Sequence, residues 1–534
     1  MRRIVMTVIG LSLAAGCRPD PGPSTGAVPL YDNLGRFSVP ISTENARAQQ
    51  YFDQGMRLTY GFNHAEAIRA FQEAARLDSR CAICHWGIAL AYGPNINWPM
   101  DSASGALAWT ALKEAERLAA GANPREQALI EALSVRYAEV PPANRAGLDS
   151  AYATAMAGVV VKFPDDLEAA TLHAEALMDL RPWAYWEKDG TPAPQTERLV
   201  SQLEKVIAAD STHPGACHYF IHAVEAVAPA RALPCAERLA ELMPGAGHLV
   251  HMPAHIYVRV GRYADAIEHN QHATHVDSVY AAAERPSMVY AGLYIPHNHH
   301  FLGFAALLAG QSAAAIESAR LTVAKAPVAA LQALPEFQPM AAFEHIVLLK
   351  FGRWEDVLAL PAPPTDLPVA WAVAMYGRGT ALAATGKAEA AAAHSDSIAA
   401  VGTRLPDGIA RSIVEIAQHS LAGELAARRK QWRVAETHFR AAMAIEDQLP
   451  YMEPPWWIEP VRHALGAALL SGGRARQAET VYREDLQRFP ANGWALYGLW
   501  QSLRAQRSPD ATQAEADFKQ AWSAADVQLS TSHP

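Results

Sequence analysis

GMRLTYGFNHAEAIRAFQEA, residues 55–74, carries a spacing that returns elsewhere in the chain. Gly55, Leu58, Ala67, Phe71 and Ala74 stand 3, 9, 4 and 3 residues apart. Gly423, Ala426, Ala435, Phe439 and Ala442 keep those intervals. Gly466, Leu469, Ala478 and Tyr482 keep the first three of them, and Pro490 closes that unit. Residues three and four apart share one face of a helix. Small residues there let two helices cross closely, and one large ring fills the gap beside them. The pattern predicts antiparallel helix pairs joined by short turns such as Gly261-Arg262-Tyr263.

The rest of the 534-residue chain agrees. It is 50% hydrophobic and 19% charged, with a mean hydropathy of −0.05. That balance excludes a disordered chain and a polytopic membrane protein. Ala-rich segments with i, i+3, i+4 apolar spacing run throughout, and no alternating Val/Ile/Thr strands stand between turn pairs. Asn123-Pro124-Arg125-Glu126 predicts a helix start in which Asn caps, Pro takes the first turn and Glu reaches back. Such a length exceeds one ordinary core and calls for several domains or a repeat array. Lys and Arg number 45 against 54 Asp and Glu, a net charge of −9. No basic excess exists to hold a phosphate backbone, so nucleic acid is not an expected partner.

The repeated spacing resembles the tetratricopeptide repeat (TPR), and Gly261-Arg262-Tyr263-Ala264-Asp265-Ala266-Ile267-Glu268 is similar to its turn and second helix. The resemblance implies an all-α, superhelical, TPR-like helix-pair solenoid and says almost nothing of function. One array is expected over 46–360, a Pro-rich break over 361–368, a C-terminal array over 369–525 and a tail over 526–534. Trp456 and Trp457 either plug the next helix pair or stack on a ligand. The irregular stretch 181–195, with Trp183, Tyr185 and Trp186, is long enough to fold over a groove as a lid.

Arg2 and Arg3 precede a short apolar run, and Ala14-Ala15-Gly16-Cys17 follows. The run is too short to span a bilayer and reads as an export signal over 1–16. The small residues before Cys17 resemble a bacterial lipobox, although Leu13 stands one place early. That resemblance implies a lipoprotein: Cys17 carries a diacylglyceryl group and palmitate-class chains, and residues 17–45 form the lipidated N-terminus and a tether. The protein would then sit on the periplasmic or outer-membrane side, attached to the membrane through its lipid alone.

Histidines recur in register. TPR arrays resemble one another in lining a concave groove with the first helix of each pair. In that register His248, His251, His255 and Arg259 face the groove from one unit, and His297 and His300 from the next. The preceding unit brings His218, His222 and Glu225, which share a helical face, and the one before it Glu175 and Asp179. Two imidazoles four residues apart suit one metal. No cofactor is fixed by this; if a divalent transition metal is bound, it is expected to draw on His218, His222, His251, His255, His297 and His300, with His251 and His255 central and Glu175 or Glu225 accepting an imidazole hydrogen bond. The segments Trp86-Gly87, His251-Met252-Pro253-Ala254-His255 and Pro296-His297-Asn298-His299-His300 are also similar to a group of exported TPR lipoproteins, which suggests a shared histidine site and supplies no reaction. His269, His272 and His275 fall on a second helix and are expected at the surface.

Cys81-Ala82-Ile83-Cys84-His85 matches the c-type haem attachment pattern, with His85 as proximal ligand. The TPR register instead places both cysteines on a packed helix, so a disulfide, groove thiols or soft-metal ligands compete with the haem. No H-E-x-x-H or P-loop occurs. The expected function is a lipid-anchored TPR protein whose groove takes a protein or peptide partner. The alternatives are a groove metal site, in a metal-binding protein or metal-dependent hydrolase, and a c-type haem protein.

Overall fold

The computed structural model describes residues 28–534; the stretch expected as an export signal and Cys17 lie outside them. Among the described residues the chain is all-α, and extended pairing is confined to two isolated bridges, Asn95 with Trp98 and Trp186 with Pro192. Helices follow one another as hairpins, from Ala46–Tyr60 with His64–Leu77 to Gly493–Ala505 with Ala511–Ala521.

The packing explains the repeated spacing. Phe71 is fully buried between two glycines, Gly55 on the preceding helix and Gly87 on Ala82–Ala91. A Cβ added at either glycine would lie within 3 Å of that ring. Tyr482 is held the same way between Gly466 and Gly498, and Phe439 lies against Gly423. Each large ring thus needs a missing side chain opposite it, and the glycine-to-aromatic interval is fixed by helix geometry. Helix starts are capped by Asn45, Asp101, Asn123, Asp166 and Asn492. Asn123 caps as expected, but Glu126 does not reach back to it; its carboxylate accepts from the Ser42 amide at 2.6 Å.

The chain divides into two compact units. The first runs up to Pro253 and includes His275–Tyr290; the second comprises Ala254–Thr274 and Ala291–Pro534. Residues 28–45, expected as tether, are held on the first helix. Tyr31 N donates to Gln54, Val39 N to Asp53, and Arg57 to the Phe37 carbonyl. The Pro-rich stretch 361–368 lies within the second unit. There Trp456 packs on Phe337 and Trp457 on Tyr376, both buried, so they plug helices rather than offer a face to a ligand.

Candidate functional site

In the first unit, Pro214 starts a helix over Pro214–Val224, with the His213 ring accepting from the Ala216 amide. One turn separates His218 from His222, and their rings lie 5.0 Å apart on one face. His248 comes from the short helix Gly247–His251. Ligand atoms of His218, His222 and His248 all lie within 4.8 Å of one another. These side chains are buried, exposed by 0%, 3% and 2%, so the cluster is an interior one rather than an open groove wall.

Hydrogen bonds orient two of the rings. The last carbonyls of a helix have no partner inside it. At the end of Ala46–Tyr60, the Tyr60 carbonyl accepts from His218 Nδ1 at 2.8 Å. Glu225, buried at the C-terminal end of the helix Pro214–Val224 itself, accepts from His222 Nδ1 at 2.9 Å. Protonation at Nδ1 makes Nε2 the lone-pair nitrogen in both rings. His248 Nε2 stands 3.2 Å from His218 Nε2. Two nitrogens bound to one tetrahedral zinc, each at about 2.0–2.1 Å, are about 3.3 Å apart. Phe62 walls the cluster, its ring 4.5 Å from His218 and 5.4 Å from His248. Trp183, from the stretch expected as a lid, lies 5.0 Å from His222 and donates to the Ile96 carbonyl. Trp186 in the same stretch donates to the Ala223 carbonyl at 2.7 Å.

Two of the expected acids go elsewhere. Glu175 and Asp179 face Arg136, at 3.6 and 2.5 Å, in a buried ion-pair cluster. Burial and the neighbouring Glu175 push Asp179 well above the usual carboxylate range. Of the two acids expected to orient an imidazole, Glu225 does so; Glu175 is placed beside the arginine. His251 is buried, with its ring 6.0 Å from that of His248. In the second unit, His255 packs on His297 and Phe301, with ring centroids 5.8 and 4.7 Å away. His300 sits edge-on to Phe343, and burial lowers its pKa to about 3. Arg259 is turned to the Arg488 carbonyl and to Glu453. His272 and His275 are exposed and His269 half-buried, on the helix Tyr263–Ala283.

Cys81 and Cys84 are joined by a disulfide, and both are buried. Bonded to each other inside a packed helix pair, they offer no sulfur for thioether attachment of a haem, so the disulfide is the alternative present here. Half-buried His85 is pushed below its ordinary pKa, mainly by burial.

Missed by sequence reasoning were Phe62 and the Tyr60 carbonyl, which come from a distant helix end. His248 stood among the expected groove residues but outside the expected metal set.

No family model matches the chain, and no curated protein matches it. Among solved structures, the human IFIT1 dimer with m7Gppp-AAAA is similar over 90% of this chain and 90% of its own, at 12% identity and a TM-score of 0.34. Yeast Tom70 is similar over 89% of this chain and 90% of its own, at 11% identity and a TM-score of 0.30. Likeness at that level carries no argument about ligand or partner. The repeat rests on the helix pairs themselves: with one ring wedged against small residues in pair after pair, the chain is a TPR-like helical repeat protein.

Proposed function

We propose that the first unit carries a transition-metal centre of the zinc class on His218, His222 and His248, in an exported metal-binding protein anchored through Cys17. The observation that carries this is the convergence of three buried imidazoles, with ligand atoms within 4.8 Å of one another. The Tyr60 carbonyl and Glu225 are the outer partners that fix tautomer and ring direction in such sites. Three protein ligands leave a fourth position for water or substrate, the arrangement of a hydrolytic zinc site. Partner binding by the repeat is the second reading. It does not use these imidazoles as a peptide-lining surface, because they are interior.

Metal analysis of the exported protein after loading with zinc tests the reading. One ion per chain is expected, with cobalt giving the absorption bands of a tetrahedral site. His222→Ala and His248→Ala should each lose the ion while helical circular dichroism is kept. Stoichiometric binding that survives both substitutions would overturn it. Separately, Cys17→Ala should release the protein from membranes; unchanged attachment would remove the anchor from the proposal.

A further inference from the structure

Beyond the helix Ala511–Ala521, the chain expected to be a tail enters the second unit instead. Trp522 lies against Gly310, Gly493 and Trp494. The Asp526 carboxylate accepts from the Ser312 and Ala313 amides, at 2.7 and 3.0 Å, where the helix Ser312–Lys325 begins. Ser532 and His533 are then buried.

The walls around these residues read as a receptor. Glu424 and Glu459 bracket the His533 ring: Nε2 is 2.6 Å from Glu424 and Nδ1 3.0 Å from Glu459. Lys350 donates to the Ser532 carbonyl at 3.2 Å, and Arg428 to the Pro534 carbonyl at 3.0 Å. The Ser532 hydroxyl pairs with Tyr482 at 2.6 Å and donates to the His463 carbonyl at 3.3 Å. Beneath them Lys350 contacts His463 at 3.1 Å, and His463 meets Asp485 at 3.0 Å. Lys350, Glu424, Glu459 and His463 are exposed by 0–3%.

Four of the helices that make these walls, Phe343–Lys350, Ile409–Arg428, Val461–Ser471 and Ala475–Arg488, are ordinary members of the repeat. The occupant is an irregular segment, gripped by main-chain carbonyls and three side chains, those of Asp526, Ser532 and His533. That division of labour is how a groove binds an extended peptide. Two buried glutamates facing one point call for a cationic group between them. We propose that this pocket is a peptide-recognition site for a short extended segment bearing an imidazolium side chain, and that residues 526–534 occupy it in cis as a displaceable ligand.

The test uses the full chain and a labelled peptide, Asp-Val-Gln-Leu-Ser-Thr-Ser-His-Pro, copied from residues 526–534. In His533→Ala the cis segment loses its anchoring ring. That variant should bind the peptide at least about tenfold more tightly than the unchanged chain, the scale of one charge-assisted hydrogen bond. A peptide with Ala in place of His should bind at least about tenfold more weakly to the variant. Hydrogen exchange on the unchanged chain should show amides of 526–534 opening before the helices of the second unit. Three results would overturn the proposal: equal binding of both peptides or of neither, exchange of the segment only with global unfolding, or loss of the helical spectrum in His533→Ala. A displaceable ligand is not required for the fold.

Discussion

Each unit holds a buried cluster of ionisable side chains that includes histidine, and the two clusters are built from different groups. In the second unit, Lys350 and His533 meet Glu459 at 3.3 and 3.0 Å, and His463 meets Asp485, which also accepts from Asn492 at 2.7 Å. Opposite charges are supplied from within. In the first unit, three imidazoles gather with one carboxylate alongside, and the geometry draws their ring nitrogens to one point. The lesson is that burial alone does not mark a binding site. A cluster whose charges close on one another, as Arg136 with Glu175 and Asp179 does in the first unit too, is a structural unit or holds its own ligand, whereas like groups brought together are candidates for a partner from outside.

The strongest way to break the comparison is to remove one charge from the closed network. Glu459→Ala leaves Lys350 and His533 buried without their shared carboxylate. It should cost about 3–5 kcal/mol, read as reduced exchange protection of the second unit's helices. The protection of the first unit should not change. Next in size is the effect of zinc on the first unit. At a free concentration one hundred times the dissociation constant, the ion should stabilise it by about 2.7 kcal/mol, and His248→Ala should abolish that gain. A comparable gain in the second unit would erase the distinction between the two. Gly466→Val is the control for packing. Its side chain would collide with Tyr482, and the expected loss is about 1–3 kcal/mol by chemical denaturation, with metal binding untouched.

The smallest effect is in pH. Burial alone would lower the His533 pKa, but Glu424 and Glu459 outweigh it and raise it to about 9. A group whose folded pKa is raised contributes fully below its unfolded value of about 6.5 and loses that contribution as pH rises through about 9. Glu459, held down at about 2 mainly by His533 and Lys350 against the penalty of burial, loses its contribution only as pH falls through about 2. The segment 526–534 should therefore loosen near pH 9 and stay docked at pH 5, by exchange of its amides. Metal binding in the first unit should fail in the other direction, as protons compete for imidazole below about pH 6.5. Loss of both features on the same side of neutrality would contradict the contrast.

The repeat was legible because its determinants are local: a glycine and an aromatic sixteen residues apart define a helix crossing before any tertiary contact is known. His218, His222 and Glu225 were legible for the same reason, since they stand at successive turns on one helical face. Which further imidazole completes the cluster depends on how separate helices cross, so His248 stood among the groove residues but outside the expected metal set. Glu175 and Asp179 were assigned to the groove because nothing in their own stretch announces Arg136. The network in the second unit was not legible at all. Lys350, Glu424, Glu459, His463, Asp485 and His533 sit in separate elements with no shared spacing, and the segment that closes the network read as a tail.

The central claim is that the first unit's imidazoles gather around a cation. Its most direct test is the metal content of the purified protein, dialysed against a weak chelator and compared with the same preparation of His222→Ala. One zinc-class ion per chain in the first, and none in the second with the helical spectrum intact, is the predicted result. Equal metal content in both, or no stoichiometric ion in the unchanged protein even after zinc loading, would contradict it.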